Sequence, residues 1–574
     1  MSRYFLTAAA LFAAVLPAQA QDKVGSEQIL PQDTYLYLSF PSISAMKEQM
    51  TASSFGRIWN DPSMEDFKAE VEGAFGGNLD EGLAQLQAVM GMSLDQLMNI
   101  PSGEMSMAIS GGPGNSLGLT MFLDFGSSED EVNGLLDKTV QILESSPDLI
   151  LSEESFDGTD ITMFQVDFNG AAPPTPLAKE FGWFVKDERL VFASRQELLE
   201  GVLSNWSGEE KSLMDNENYA YILGKCQTSP SKAMTKVYFD PYGLFNGLVE
   251  TQSLPQDVLL GAAGVLGVLQ TVGINQMKGF GGVSETGNDV FESVSRTVVM
   301  MDQPAQGLMR MFQLGKIEQA PPSWVKENAN AYIAVNWKID EAYSAIAGTV
   351  NMLMGGNAFE SQIDALAQEG PGVHIKEDVI DVLNGDLRIV LAPGEGEGYG
   401  TDQILIVLGI KDDESAKDLL TKLTAQAPVE SREFKGATIY EGPGPTPGQS
   451  VSLTVSQGRF MVAIGGGILE QVLRDDDDVR PLAETDEYKA IAEHFPSEAV
   501  SVQFTKPAEQ YRGIYDILRS GDIADQFPGS EDILSQIDFS TLPDFDQIAK
   551  HIKPVGGYSV SNENGVFSET FQVK

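Results

Sequence analysis

The chain says the same thing twice. A string of landmarks in residues 31–300 returns in the same order in residues 325–574. Asp33-Thr34-Tyr35-Leu36-Tyr37-Leu38 answers to Asn330-Ala331-Tyr332-Ile333-Ala334-Val335. Ser102-Gly103-Glu104-Met105-Ser106-Met107 answers to Asn384-Gly385-Asp386-Leu387-Arg388-Ile389. Ser128-Glu129-Asp130-Glu131, ahead of Leu135-Leu136, answers to Asp412-Asp413-Glu414-Ser415 ahead of Leu419-Leu420. Phe156-Asp157-Gly158 matches Phe434-Lys435-Gly436, and the stretch from Val185 to Phe192 matches that from Val455 to Val462. So many ordered matches are hard to obtain by chance, and they predict two like bodies built from one series of elements.

Each copy reads as short strands alternating with amphipathic helices. In the first, strands are expected over 35–40, 105–110, 117–125, 161–168, 181–185, 189–194, 236–240, 279–284 and 289–299, and helices over 41–50, 83–98, 128–143 and 195–203. Glu129, Asp130 and Glu131 sit where the positive end of a helix dipole favours them, with Ser127 or Ser128 as cap. Hairpins outnumber crossovers, so the expected fold class is α+β: two homologous domains from an internal duplication, each a largely antiparallel sheet packed by amphipathic helices. Ala320-Pro321-Pro322-Ser323 is the best linker, giving domains 21–319 and 320–574.

Residues 1–20 read as an export signal: Arg3, an apolar stretch from Tyr4 to Leu16, and Ala18-Gln19-Ala20 with cleavage expected after Ala20. The apolar stretch falls short of the roughly 20 residues a bilayer needs, so the mature chain is expected to lack a transmembrane segment and to lie in the periplasm or outside the cell. Net charge is −46, from 83 acidic and 37 basic residues. That balance repels phosphate backbones and argues against nucleic-acid binding; divalent cations are the ions such a surface gathers, without specificity. The single cysteine, Cys226, excludes an intramolecular disulfide and reads as a packed thiol ending a strand-like stretch from Tyr219.

Motifs for chemistry fail on inspection. Gly114-Asn115-Ser116-Leu117-Gly118 fits a nucleophile elbow by letter but leads into a strand rather than a helix. His374, His494 and His551 lie in no recognisable catalytic loop. The run Arg474-Asp475-Asp476-Asp477-Asp478 lacks the ligand alternation of a calcium loop. The acidic glycine stretch 394–400 and Gly465-Gly466-Gly467 do not resemble phosphate cradles. Asn205-Trp206-Ser207 is a glycosylation triplet by pattern alone. No residue is therefore assigned a catalytic, cofactor or metal role, and no cofactor is expected. Two apolar segments stand apart. The stretch 258–269 is expected to be buried between layers, and the methionine-rich stretch 300–312 to pack a core or an interface; a lipid- or ligand-facing role is the alternative.

The opening Leu30-Pro31-Gln32-Asp33-Thr34-Tyr35-Leu36-Tyr37-Leu38 and the later Phe55-Gly56-Arg57-Ile58-Trp59-Asn60-Asp61-Pro62 resemble exported bacterial proteins grouped as a domain of unknown function. The stretch from Phe184 to Ser194 is similar to a strand, turn, strand and helix segment of the same family. The resemblance covers most of the first copy and implies export and an α+β repeat, with no activity or site residue carried over. The second copy departs from it in lacking the Pro-Gln-Asp opening and the Asn-Asp-Pro punctuation. The expected function is that of an exported, acidic, non-enzymatic protein acting by binding or structure on an unknown protein or cell-envelope partner. A carrier or sensor of an apolar ligand is the alternative, and a hydrolase the third reading.

Overall fold

A computed structural model describes residues 23–77, 92, 94–97, 100–112, 116–168, 179–250, 256–394, 402–425, 427–445, 449–474, 478–521 and 537–574. The export segment with Ala20, most of the expected helix 83–98, and Gly114, Asn115, residues 395–400 and residues 475–477 lie outside them. The chain forms two compact units: Met1–Leu269, Met277–Asn288 and Ser293–Met300 in the first, and Gln270–Gln276, Asp289–Glu292 and Met301–Lys574 in the second. The residues just before Ala320 are part of the second unit. Ile317 N–H donates to Ala499 and the Tyr488 hydroxyl to the Gln319 carbonyl, so the proline-rich stretch is packed chain rather than a free tether.

The first ten strands are β1 (Thr34–Phe40), β2 (Met105–Gly112), β3 (Ser116–Asp124), β4 (Leu149–Phe156), β5 (Thr159–Val166), β6 (Glu180–Lys186), β7 (Arg189–Ala193), β8 (Ala233–Phe239) and β9 (Met277–Thr286), all in the first unit, and β10 (Phe291–Met301), of which Ser293–Met300 belong to it. After a short β11 (Leu314–Gly315), the second unit holds β12 (Ala331–Trp337), β13 (Leu383–Ala392), β14 (Gln403–Ile410), β15 (Glu430–Phe434), β16 (Ala437–Pro443), β17 (Ser450–Ser456), β18 (Arg459–Ile464), β19 (Ser501–Thr505), β20 (Val555–Asn562) and β21 (Gly565–Val573). Order across the first sheet is β10-β9-β8-β1-β2-β3-β7-β6-β5-β4, antiparallel from β9 onward. Across the second it is β21-β20-β19-β12-β13-β14-β18-β17-β16-β15, antiparallel throughout. The two units thus share one strand order. The fold is α+β with antiparallel sheets.

Alternation along the strands gives each sheet a closed face and a looser one. Tyr37, Ala108, Thr120 and Ala193 stand in one cross-strand row, and Tyr332, Val390, Leu405 and Ala463 in the matching row; all are buried. The reverse rows, Leu38-Met107-Met121-Phe192 and Ile333-Ile389-Ile406-Val462, are only half-buried. These registers also correct one match made from sequence. Tyr332 answers to Tyr37, not to Tyr35. A strand has a side-chain period of two, so a slip of two residues keeps every side chain on its face and escapes notice in the sequence.

Three further expectations change. Strands β4, β15, β16 and β19 were not expected: β4 and β15 are edge strands with no buried residue, so they lack a buried alternation to read. The stretch ending at Cys226 is a helix, Glu217–Cys226, not a strand. The Asn216 side chain caps it, and Tyr219, Ile222, Leu223 and Cys226 fall on one buried face at helical spacing. Residues 258–269 lie in a helix, Gln256–Thr271, but not between layers. Leu266 is buried, whereas Val265 is 48% and Val268 43% exposed, and Gly261, Gly264 and Gly267 face open space. Ser128 does stand at the start of the helix Glu129–Glu144, without a side-chain capping bond.

The hairpin loops make one stability difference measurable. Both residues take positive φ in four two-residue turns: Asp157-Gly158 and Asp187-Glu188 in the first unit, Lys435-Gly436 and Gln457-Gly458 in the second. Glu188, at φ 59°, stands where the second unit uses glycine. Glu188→Gly is expected to stabilise the protein by about 0.5–1 kcal/mol, because the left-handed penalty outweighs the added chain entropy and the exposed Lys23 pair. A higher urea midpoint at unchanged slope would register it.

Candidate functional site

The segment ahead of β1 builds one wall of the site by filling a buried polar layer. Ser26 donates its backbone N–H (2.9 Å) and hydroxyl (2.6 Å) to the Glu104 carboxylate, which also accepts from Tyr37 (3.2 Å) and Ser39 (3.0 Å). Arg189 grips Asp124 with two nitrogens and donates to the Val24 carbonyl at 3.0 Å. Lys236 donates to Glu27 at 2.8 Å, and Tyr219 donates to the same carboxylate. Burial, then the charges of Glu104 and Glu27, hold the Tyr37 phenol well above its ordinary pKa, so it remains a donor. These groups are close to fully buried and satisfy one another, which makes the layer a fastening rather than a reaction centre.

Next to this fastening lies a cleft of about 410 Å³, lined by Ile29, Pro31, Asp33, Tyr35, Gly111, Gly112, Leu117, Gly201, Asn205, Glu210, Lys211, Gly247 and Glu250. Tyr35 is there because the pairing of β1 with β2 slips between Thr34 and Leu36, leaving Tyr35 as the extra residue. Such a bulge re-aims a side chain. Its carbonyl accepts from Asp240 N–H (2.7 Å), and the carbonyl of Asp33 from Gly111 N–H (2.7 Å). The ring lies against the helix Pro241–Glu250, where a Cβ on Gly247 would sit 3.1–3.3 Å from it; glycine makes the slot. Partial burial, followed by the charges of Asp33, Glu250 and Asp240, raises the Tyr35 pKa, so the phenol keeps its proton. Asn205 holds the far wall: its amide donates to the Gln28 carbonyl (3.1 Å) and its oxygen accepts from Glu210 N–H (2.8 Å).

The second unit closes the matching place. Leu30 and Val325 are equivalent, each accepting through its carbonyl from the following unit element, Leu213 N–H at 2.9 Å and Leu482 N–H at 2.8 Å. The offset that aligns Val185 with Val455 aligns Gly201 with Gln471. There Trp324, Val325, Ala392, Ile468, Gln471 and Val472 leave a void of only about 10 Å³. The counterpart of Tyr35 is Asn330, whose carbonyl accepts from Lys506 N–H at 2.7 Å as that of Tyr35 does from Asp240, but it is a smaller side chain and only 4% exposed. One architecture therefore carries an open polar cleft in the first copy and, among the described residues around Val325 and Gln471, only a small void in the second.

Residues singled out from sequence do not converge on this cleft. Ser116 begins β3, a strand start and not a strand-to-helix elbow. His374 faces Asp364 at 2.6 Å with the pair largely exposed, His494 packs edge-on against Phe571, and His551 follows the helix Phe545–Ala549. Among the described residues no group of three or more acidic, histidine or cysteine side chains is placed to hold a metal ion, and no helix is long and apolar enough to cross a membrane. Asn205, the head of the glycosylation triplet, is 4% exposed with its amide committed to the backbone, so it is not an acceptor in the folded chain. Gly465 and Gly467 adopt φ of 91° and 100° at a helix start that the Gln403 side chain caps by accepting from Ile468 N–H at 2.6 Å. In the methionine-rich stretch Met301 and Met309 are buried while Phe312 is 47% exposed.

Cys226 is buried, and desolvation pushes its thiol up to about 12. In the native protein it is expected to stay unmodified by a thiol reagent at pH 8 and to react once denatured; rapid native labelling would contradict that placement.

No family model, curated protein or solved structure matches this chain.

Proposed function

We propose that the protein is an exported, non-catalytic binding protein, whose two units descend from one duplicated ancestor and whose first unit takes a small ligand in the Tyr35 cleft. The observation that carries this reading is the contrast between the units: the same fold holds only a small void beside Gln471 in one copy and an open, glycine-floored, polar cleft beside Gly201 in the other. A fold able to close a space at little cost and leaving it open in one copy is the expected outcome of selection for a ligand. The shared strand order supports the duplication. The N-terminal signal pattern, the lone cysteine and the resemblance to exported bacterial proteins support the location. Native mass spectrometry of protein isolated from its own cells is expected to find a small molecule held at one copy per chain. Protein that carries nothing, and whose Gly201→Trp variant behaves as the parent in every ligand assay, would remove the cleft from consideration.

A second reading, a carrier or sensor of an apolar ligand or surface, is favoured by one feature: Val265 and Val268 stand exposed on the helix Gln256–Thr271. Val265→Ser with Val268→Ser separates the two. Loss of a co-purifying lipid from that variant, with binding in the cleft intact, would favour the carrier.

A further inference from the structure

We infer that the ligand of the Tyr35 cleft is a small organic cation that presents a primary ammonium or guanidinium group. This rests on the cleft being a binding site, and it names what is bound. Asp33, Glu210 and Glu250 line the opening against the single lysine Lys211, so the wall carries an excess of negative charge. The whole chain, at −46, adds a field that concentrates cations and excludes phosphates and carboxylates. The phenol oxygen of Tyr35 accepts an N–H, and the carboxylates of Asp33 and Glu250, whose charges act on that phenol from its surroundings, accept the others.

A bare metal ion does not fit. Divalent calcium takes six to eight oxygens at close range, whereas among the described residues no such ligand group is gathered, and the cleft is far larger than one ion. Its volume of about 410 Å³ instead suits a molecule of amino-acid or polyamine size. The apolar patch formed by Ile29, Pro31 and Leu117 accommodates a methylene chain beside the charged head. Lys211 leaves room for one carboxylate on the ligand, so a basic amino acid and a polyamine are the two forms of this chemistry to compare.

The full mature chain is to be titrated calorimetrically with spermidine and with L-arginine, alongside sodium and magnesium chloride at matched ionic strength. One site per chain is expected for at least one of the two organic cations. Glu250→Gln and Asp33→Asn should each weaken it roughly tenfold or more, the scale of a lost charge-assisted hydrogen bond. Gly201→Trp should abolish it. A Cβ on Gly201 meets nothing within 4 Å, and replacing glycine within the helix Gln196–Ser204 favours the helix, so this variant keeps an unchanged or higher melting temperature. Binding that survives Gly201→Trp would mean diffuse capture by surface charge and overturn the inference. Absence of binding by both cations overturns it too. If a neutral or anionic probe such as glucose or citrate instead shifts the melting temperature of the parent but not of Gly201→Trp, the cleft remains a site and only its cationic ligand is wrong.

Discussion

Replacing Arg189 with methionine is expected to cost about 3–5 kcal/mol of unfolding free energy, the penalty for breaking a buried ion pair from one side. Arg189 is 2% exposed. Burial by itself would lower its pKa, but the bond and charge of Asp124 and the charge of Glu104 hold it above the ordinary value, so it stays charged. Its guanidinium sits between the Asp124 carboxylate and Glu104, 3.7 Å away, and lies 5.7 Å from the centre of the Phe122 ring. Methionine fills the space and leaves two carboxylates facing each other without a cation. Arg459, its counterpart by the shared hairpin, bonds Gln457 and lies 5.3 Å over the Trp324 ring. There Arg459→Met should cost under about 1 kcal/mol. Urea midpoints at constant slope give both numbers. Equal losses at the two positions would refute the assignment of a charge-holding role to Arg189. The double variant Arg189→Met with Asp124→Leu should recover part of the loss, since an apolar pair replaces a stranded charge.

The charge layer was invisible in the sequence, and the reason is instructive. Glu27, Glu104, Asp124, Arg189 and Lys236 come from a pre-strand segment, the residue just ahead of β2, and strands β3, β7 and β8, with no local spacing to join them. What the sequence does carry is periodic or punctuated. The match of Phe156-Asp157-Gly158 with Phe434-Lys435-Gly436 was legible because a two-residue turn demands residues that tolerate positive φ, although the strand before each turn was not expected. The helix Glu129–Glu144 was legible from its acidic first turn and from Val132 and Leu135, both buried. Cys226 misled because Tyr-Ala-Tyr-Ile-Leu is β-prone by composition, while its i, i+3, i+4, i+7 burial belongs to a helix. Tyr35 was read as an ordinary strand residue matched to Tyr332. Only pairing registers reveal that Tyr35 stands at a bulge and that its counterpart in the second copy is Asn330, so that a large ring lines the cleft in one copy and a small buried amide takes its place in the other. A local propensity reading has no access to a bulge whose signal is the partner strand's register.

A second large loss is expected from Glu27→Ala. Lys236 is 8% exposed, and Glu27, 9% exposed, is the carboxylate that meets its ammonium at 2.8 Å. Removing that carboxylate strands a buried cation and a Tyr219 hydroxyl together, for which about 3–5 kcal/mol is the scale. The second unit shows that this place does not require charge. Lys236 pairs with Ser39 across β8 and β1, and Val502 pairs with Ala334 across β19 and β12, so valine occupies the equivalent site at 1% exposure. The double variant Glu27→Leu with Lys236→Val is therefore expected to recover most of that loss, because desolvating two charges is no longer needed and only the buried Tyr219 hydroxyl is left without its acceptor. The same chemistry separates stability from function. Residues 26–30 include Ile29 of the cleft and lead directly into Pro31 and Asp33, and Asn205 clasps them through the Gln28 carbonyl. If the charged pair serves only to fasten this segment, the stable double variant binds as the parent does and hydrogen exchange at Ser26–Leu30 remains slow. If the double variant is stable yet exchanges quickly there and loses the ligand, the pair is maintained for positioning, and the ionic solution in the first unit is explained by the cleft it holds in shape.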